Sequence, residues 1–440
     1  MFTSLLLTAS LTGGQPAANY YPPGSLPGVT AVGQPAQLPP GPLPAVPDTA
    51  KKDVEPKKEA EPAKEEEKKE EEPKPPTKYF FEKSIAETRL GNVLTNNGIT
   101  VYGWTEMSYN ASTASKTNAP VFMIDRANQF LLNQNYLVVE KTLDTSKKEF
   151  QWGFRTDWIL PGSDARTTVP RGLWDDQLRK GTNGQPILYP IDPYQFYGQA
   201  FLPNLGEGTT VKLGRFATHC NYELVQAVDT PFVSRSYLFQ YNPFTHTGIY
   251  ANTQLNDTWS VGYGAALGAD NFIDPANRFT FLGSLKWAPK DGKTSVVFNT
   301  VITDPRFNAA EAYAFYNVYE MILTHKFSDK LTYVLDTAYS HINDVPGIGF
   351  ANWYGAVNYL TYAHNDKVTS VLRAEVFDDA QGFRTGFKGL YTELTYGVAY
   401  KPCDSLIIRP SVRYDNNSQS NVWEGNQNLF TATMDVILRW

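Results

Sequence analysis

The sequence predicts an all-β fold: a closed, antiparallel transmembrane β-barrel of about sixteen strands over residues 79–440, preceded by a disordered amino-terminal segment. Two observations lead to this prediction. Segments of about nine to twelve residues alternate between apolar and polar positions, as spanning strands do. The connections between them are alternately short and long, which a barrel with turns at one end and loops at the other produces. A soluble sandwich or propeller has no reason to show that alternation.

The composition favours a single membrane-embedded domain. Of the 440 residues, 14% are aromatic and only 19% are charged, an unusual balance for a large soluble protein. After the first few positions there is no stretch of about 20 apolar residues, so only strands could cross a bilayer. The net charge is -6 and the Lys and Arg residues are scattered, which argues against a nucleic-acid partner. Cys220 and Cys403 are expected at opposite ends of the barrel, too far apart to form a disulfide.

The amino-terminal region is predicted to be exported and then to remain unfolded. Residues 1–18 resemble a signal peptide, with an apolar core from Phe2 to Leu11 and small residues up to Ala18. Because the usual positive residues are missing, a disordered apolar terminus is the alternative. Residues 19–78 are rich in Pro, then in Lys and Glu, and are predicted to form a disordered periplasmic spacer. Peptidoglycan is a candidate partner of this spacer.

The last predicted strand shows the period-two pattern best. In Phe430–Trp440 the even positions are apolar, whereas the odd positions include Asp435 and Arg439. The same split recurs in Phe150–Trp158 and Ile408–Asp415. One face is therefore expected to meet lipid and the other water.

Sixteen such segments are predicted, an even number that suits a bacterial single-chain barrel. They begin near Val101, Tyr136, Phe150, Gln195, Val211, Gly248, Trp259, Phe279, Ser295, Tyr313, Leu331, Trp353, Val368, Leu390, Leu406 and Leu429. The predicted short turns are Asp144–Lys148, Asn204–Gly208, Asn256–Asp257, Pro289–Gly292, Ser328–Lys330, Asn365–Lys367 and Pro402–Ser405, with longer connections between them.

Aromatic residues near segment ends indicate the girdles that flank the lipid-facing band of a barrel. They are Trp158, Trp259, Trp287, Trp353, Tyr396, Tyr400 and Trp440. The alternative is that they form the core of a soluble β domain.

Three stretches resemble the outer-membrane β-barrel porin type 2, or OmpL-like, family. They are RANQFLLNQNYLVVEKTLD (126–144), FQWGFRTDWILPGSDAR (150–166) and GRFATHCNYELVQAVDTPFVSRSYLFQYNPFTHTG (214–248). The resemblance extends over about residues 79–440 and implies an outer-membrane barrel of the diffusive type, without a defined substrate. The terminal aromatic Trp440 looks like the signal that the barrel-assembly machinery recognises.

The longest informative loop is predicted over residues 219–246. In general porins of sixteen strands, which this layout resembles, the loop at that place folds into the lumen and narrows it. Glu223, Asp229 and Arg235 are therefore candidates for the charges of a pore constriction. The alternative is an external loop that packs on its neighbours.

The alternation also places charges on the inner wall. The candidates are Arg155, Asp157, Arg373, Glu375, Arg409, Arg413, Asp435 and Arg439, together with Lys212, Lys286, Glu106, Glu140, Glu320, Asp336 and Glu393. Their signs nearly balance, which predicts weak ion selectivity, with a positive wall at Arg409, Arg413 and Arg439. Alternatively, these charges form salt-bridge ladders that hold the wall together.

These features predict an outer-membrane porin for the passive diffusion of small hydrophilic solutes and ions. We expect no catalytic residues, no cofactor and no metal, since hydrolase, metalloprotease and nucleotide-binding signatures are missing and His219 with Cys220 lacks a ligand spacing. One alternative is a structural barrel tethered to the cell wall by its spacer. Another is a barrel enzyme or adhesin, with residues converging in external loops such as 166–192. Outer-membrane lipid is the expected environment, and a homotrimer is predicted by analogy with general porins.

Overall fold

The computed structural model describes residues 79–168, 173, 187–273, 278–309 and 314–440. The predicted signal peptide (1–18) and spacer (19–78) lie outside these residues. The described residues form sixteen antiparallel strands that close into one barrel, each strand pairing with its neighbours in the sequence. The strands are β1 (Thr100–Ser112), β2 (Gln129–Lys141), β3 (Gln151–Ile159), β4 (Asp192–Leu202), β5 (Thr209–Ala217), β6 (Thr245–Gln254), β7 (Trp259–Ala266), β8 (Thr280–Trp287), β9 (Thr294–Thr303), β10 (Asn317–Lys326), β11 (Leu331–Val345), β12 (Gly349–Asn365), β13 (Val368–Asp379), β14 (Gly389–Cys403), β15 (Leu406–Asn417) and β16 (Asn428–Arg439).

The barrel closes where β1 pairs with β16. Trp104 lies opposite Arg439, and the backbone N–H and C=O groups of Gly103 and Trp440 exchange two hydrogen bonds of 3.0 Å. The chain terminus therefore lies at the rim that carries the short turns. By the usual arrangement of such barrels, that rim faces the periplasm.

The predicted strand pattern is confirmed with local corrections. β2 begins at Gln129 instead of Tyr136, because a β-bulge opposite Glu106 and Met107 shifts the alternation and leaves Asn133 and Gln134 both buried. β12 begins at Gly349, ahead of the predicted Trp353. The predicted start of the tenth strand, Tyr313, lies outside the described residues, and β10 begins at Asn317.

The connections alternate in length with one exception. The seven predicted turns all lie at the short-turn rim. At the opposite rim, however, only residues 346–348 separate β11 from β12, although a longer connection was expected there. In this hairpin β12 is the longest strand of the barrel, with 17 residues, and β11 has 15, so the strands themselves are long where the connection is short.

The outer surface is apolar, as the alternation predicted. In β16, Phe430, Met434 and Leu438 are each about half exposed, whereas Asp435 is fully buried inside. Trp259 and Trp287 lie directly opposite each other at the short-turn rim, as a girdle requires. Trp353 was wrongly assigned to the girdle, because it points inward, is 1% exposed and donates its indole N–H to the Tyr241 carbonyl (3.0 Å).

The inner wall is not uniformly polar. Val318 and Ile322 of β10, Val334 of β11 and Val357 of β12 are buried inside the barrel, in one cluster with Leu238. They are apolar on an inward face because a folded segment covers them there.

Four helices accompany the strands in the described residues. They are α1 (Phe80–Ile85) and α2 (Arg89–Asn96) before β1, α3 (Ala165–Thr168), and α4 (Tyr237–Tyr241), with a 3-10 turn at Ala227–Asp229. None of these helices has the length and apolar character needed to cross a membrane. Cys220 is buried in the loop after β5 and Cys403 is exposed at a short turn, and neither forms a disulfide.

Candidate pore site

The loop between β5 and β6, residues 218–244, is folded inside the barrel. It contains two short ordered elements, the 3-10 turn at Ala227–Asp229 and helix α4. The Ser236 hydroxyl caps the first turn of α4 by accepting a hydrogen bond from the Phe239 N–H (3.1 Å). Tyr237 and Tyr241 of α4 are buried and belong to the same apolar cluster as the inner faces of β10–β12. This packing explains why those strands carry several apolar residues on their inner faces as well as on their outer faces.

Carboxylates of the wall hold the loop by its backbone N–H groups. Asn221 donates to Glu320 (2.7 Å) and Tyr222 donates to Asp336 (2.9 Å). At the start of α4, Glu375 accepts from the N–H groups of both Tyr237 and Leu238, at 2.7 Å each. A carboxylate at that end of a helix satisfies N–H groups that have no partner within the helix.

Arginines of the wall hold the same loop by its carbonyl groups. Arg409 donates to the Ala227 and Thr230 carbonyls at 2.8 and 2.5 Å. Arg373 donates to the Ser234 carbonyl (2.9 Å), and Arg413 donates to the Arg235 carbonyl (2.7 Å). Wall groups of both signs on β10, β11, β13 and β15 therefore fix the loop.

Most wall charges predicted from the alternation are also paired with one another. Arg409 bridges Glu106 (2.8 Å) and Asp435 (2.7 Å), while Arg413 bridges Asp415 (2.7 Å).

The same pairing occurs on β13 and β3. Arg373 bridges Glu393 (3.1 Å) and the loop residue Glu223 (2.6 Å). Arg155 bridges Glu140 (3.1 Å) and Asp157 (2.7 Å). The salt-bridge ladders considered as an alternative are therefore present, and the predicted positive wall at Arg409 and Arg413 is neutralised by buried acids.

The three candidate constriction residues have different surroundings. Glu223 is buried between Arg373 and the Ser236 N–H (2.7 Å). Arg235 is fully buried and donates to the carbonyls of Leu224, Val225, Phe232 and Val233, all within its own loop. Neither side chain presents its charge to the solvent of the lumen in this structure, contrary to the expectation, because each is needed to fold and attach the loop.

Asp229 is the candidate that solvent reaches. Protein surrounds it within the barrel and raises its pKa by partial desolvation, while the charges of Arg439, Arg155 and Lys401 act in the opposite direction. Arg439 and Lys401 lie at the carboxyl ends of β16 and β14, so Asp229 faces the half of the lumen nearer the short-turn rim.

The part of the lumen that Asp229 faces carries further accessible charges. Lys286 is exposed, and Lys212, Lys401 and Arg439 are partly exposed. The Lys212 ammonium lies 4.7 Å from the centre of the Tyr197 ring. Four of the accessible charges described here are basic and one, Asp229, is acidic, so this part of the lumen is predominantly basic.

Sequence reasoning missed two residues of the site. Gln134 donates to the Val225 carbonyl (2.6 Å) and accepts from the Ala227 N–H (3.2 Å), but it lay before the predicted start of β2. Lys401 lies on the same inward face of β14 as Glu393 and could have been found from the alternation.

His219, considered as a metal ligand, instead forms a hydrogen bond with the Thr300 carbonyl (3.0 Å), and burial lowers its pKa to about 4. Among the described residues, no group of His, Cys, Asp and Glu side chains could hold a metal ion.

The loop 166–192, in which an enzyme or adhesin would need converging residues, lies largely outside the described residues.

The barrel is similar in fold to solved outer-membrane proteins. Examples are OprB of Pseudomonas putida (10% identity, TM-score 0.52, covering 81% of this chain and 97% of that one) and an anion-selective porin from Comamonas acidovorans (11%, 0.51, 78% and 99%). A third is OmpT of Vibrio cholerae in its trimer form (11%, 0.50, 78% and 99%). At such identities the likeness shows the fold alone, and no curated protein sequence matches the chain.

A family model matches most of the chain. The family model described as "Putative beta-barrel porin-2, OmpL-like" matches residues 98–440, which is the whole barrel from just before β1 to the last residue. The outer membrane is therefore the location of this barrel, and a porin role follows from the family. The chain belongs to the beta-barrel porin-2, OmpL-like family.

Proposed function

We propose that the protein is a passive diffusion channel for small hydrophilic solutes and ions, and that the loop 218–244 sets the size limit of its lumen. The observation that carries this proposal is the attachment of the loop inside the barrel by Glu320, Asp336, Glu375, Arg373 and Arg409. A segment held at so many points is a fixed obstacle, and solutes pass only where it leaves space. The charged lining that remains accessible suits hydrated solutes and not apolar ones.

Asp229 is the residue through which the loop acts on ions in this proposal. It is the accessible charge of the loop among the three candidates, and it faces basic wall residues, so it reduces an otherwise positive field. Replacing it should shift the ion preference without unfolding the loop, because its side chain holds none of the wall contacts described above.

The test is single-channel conductance of the refolded full-length protein in a planar bilayer. We expect stable open steps, and a shift of ion preference toward anions in Asp229→Lys measured as the reversal potential in a salt gradient. Lys326→Glu, an exposed charge in a strand end away from the loop, is the matched control and should shift it less. Open steps with unchanged preference in Asp229→Lys would reject the role of Asp229 but leave the channel intact.

A structural barrel tethered through its spacer is the second candidate. It is favoured by the same extensive attachment, since a loop that contacts so many strands could close the lumen completely. Wild-type protein would then show no steps, whereas a variant in which residues 222–240 are replaced by a short Gly-Ser linker would open. Deleting residues 20–78 tests the tether: loss of envelope integrity with unchanged conductance would support it.

The remaining proposals concern chemistry and assembly. We propose that the barrel has no catalytic activity; in support, Arg373, Arg409 and Arg413 of the wall and their acidic partners are engaged in ion pairs and loop contacts. We also propose that Trp440 is recognised by the barrel-assembly machinery, which its position at the closing seam supports. Truncation of Trp440 should slow insertion in cells, measured as the fraction of folded protein after a pulse of synthesis.

A further inference from the structure

The two helices before β1 lie at the short-turn rim, beside the last residue of the chain. The Trp440 indole lies on the outer surface: its N–H donates to the Thr105 hydroxyl (3.2 Å), and a Cβ on Gly103 would meet its ring at 2.5 Å. Gly103 and Thr105 flank Trp104, which points inward and is 2% exposed. Trp440 therefore belongs to the lipid-facing side of the barrel at the level of the membrane interface.

Helix α1 lies across this rim. On the outside, the Phe81 ring meets the Trp440 ring edge-on, with centroids 6.2 Å apart and planes at 77°. On the inside, the inward-facing Arg439 donates to the Tyr79 hydroxyl (2.7 Å). These two contacts hold α1 at the short-turn rim, with Phe81 on the outer side of the wall and Tyr79 on the inner side.

Helix α2 is joined rigidly to α1. The Thr88 hydroxyl caps α2 by accepting from the Gly91 N–H (3.1 Å). Gly91 is buried against the Ile85 carbonyl, and a Cβ there would lie 2.0 Å from that oxygen. A glycine is thus required for the close approach, and α2 cannot swing freely away from α1.

Three large apolar side chains of these helices face solvent. Phe80 is 74% exposed, Leu90 57% and Val93 52%. Leu90 and Val93 are three residues apart on one face of α2, while the polar Asn92 and Thr95 lie on other faces. An exposed apolar surface of this kind, next to the girdle of a barrel, is continuous with the surface that lipid covers.

We propose that α1 and α2 form an interfacial anchor, with Phe80, Leu90 and Val93 inserted among the acyl chains of the periplasmic leaflet. The lipid is the occupant because the exposed apolar face is attached to Trp440, which is itself part of the lipid-facing belt. A short helix with an apolar and a polar face lies in the plane of such an interface. The anchor would fix the point at which the preceding chain leaves the membrane surface.

The test uses full-length protein refolded into vesicles, with Cys220→Ala/Cys403→Ser as the background and an environment-sensitive fluorophore on single introduced cysteines. The labelled variants are Leu90→Cys and Val93→Cys, with Asn92→Cys and Thr95→Cys as matched controls on α2. We expect a doxyl-labelled phospholipid to quench positions 90 and 93 and not the controls, while aqueous iodide quenches the controls. Conductance of the same samples is recorded separately, so failure of the channel proposal does not affect this result.

Two outcomes would overturn the anchor. Iodide quenching of all four positions without lipid quenching would place the helices in the periplasm. Shielding of all four from both quenchers would mean that protein, not lipid, covers them.

As a second measurement without labels, trypsin should cut after Lys83 and Arg89 faster in the vesicle-bound double variant Leu90→Glu/Val93→Glu than in wild type. Equal rates would likewise reject the anchor.

Discussion

At the scale of single residues, Arg409 shows how the wall and the loop depend on each other. One buried guanidinium neutralises Glu106 and Asp435 and also donates to the carbonyls of Ala227 and Thr230. Removing it would leave two carboxylates buried beside each other and two loop carbonyls without a donor. A buried charge without its partner is much more costly than a missing surface pair.

We therefore expect Arg409→Met to lower the free energy of unfolding by about 3–5 kcal/mol. The measurement is urea unfolding of the protein refolded in vesicles. The control is Arg306→Met, which breaks the exposed pair with Asp304 and should cost much less, because water screens that pair. A cost for Arg409→Met no larger than that of the control would show that the buried acids do not need this partner.

Glu424 gives a pH-dependent contact between two loops. Its carboxylate accepts from the N–H groups of Ser115 (2.8 Å), Lys116 (2.7 Å) and Thr117 (3.2 Å), and from the Ser115 hydroxyl. These hydrogen bonds favour the charged form and lower the pKa of Glu424 to about 2. Its ordinary value is near 4.5. The stabilisation is therefore complete above the ordinary value and is lost as the pH falls through about 2.

We expect the amides of residues 115–117 to be protected from hydrogen exchange at pH 5 and to lose that protection near pH 2, after correction for intrinsic exchange rates. In Glu424→Ala the protection should be low at both pH values. Protection in the variant equal to that of wild type would contradict the contact.

Single residues are also where sequence reasoning reached its limit. The inward orientation of Arg373, Arg409, Arg413 and Asp435 follows from period two alone. Whether an inward charge meets water or a buried partner depends on what else enters the lumen, and alternation carries no information about that. For that reason the burial of Glu223 and Arg235 did not follow from the sequence, and their role as constriction charges stays a prediction.

At the scale of elements, the seam between β1 and β16 depends on a glycine. A methyl group on Gly103 would lie 2.2 Å from the Tyr136 carbonyl oxygen and 2.5 Å from the Trp440 ring. Gly198 of β4 also lies in a strand, but nothing lies within 4 Å of a Cβ built there. The two positions form a matched pair.

We expect Gly103→Ala to destabilise the folded barrel by about 1–3 kcal/mol through overcrowding. Gly198→Ala should change it by at most about 0.5 kcal/mol. The temperature at which the folded band is lost in a heat-modifiability gel measures both. A similar temperature for both variants would indicate that the seam adjusts to the added methyl group.

Elements differ in how far the sequence predicts them. Strands β13–β16 have an apolar outer face and a charged inner face, so their first residues agree with the predicted ones to within one residue. The inner faces of β10–β12 carry buried apolar residues, such as Val318, Val334 and Val357, in the cluster that includes α4, so the alternation of polar and apolar residues is weaker there. In β2 a bulge interrupts the alternation of inward and outward residues. The loop after β5 is not a strand, so its path inside the barrel produces no alternation in the sequence.

At the scale of the whole molecule, the sixteen-strand layout predicts that the barrel assembles as a trimer. The wall offers a large apolar outer surface, and strands β7 and β8 have only eight residues each. Native mass spectrometry of the detergent-extracted protein should give three chains. A single chain under conditions that keep a known trimeric porin intact would reject this prediction.

The hairpin of β11 and β12, with strands of 15 and 17 residues, offers an insertion site at its tip. Along the strand direction, β11 and β12 extend roughly 50 Å or more, against roughly 27 Å for β7 and β8. The three residues that join β11 and β12 end this hairpin on the side opposite the periplasm. We expect an epitope inserted at residues 346–348 to be carried at the end of a stiff two-stranded ribbon, which makes this tip a suitable place to test by antibody staining of intact cells.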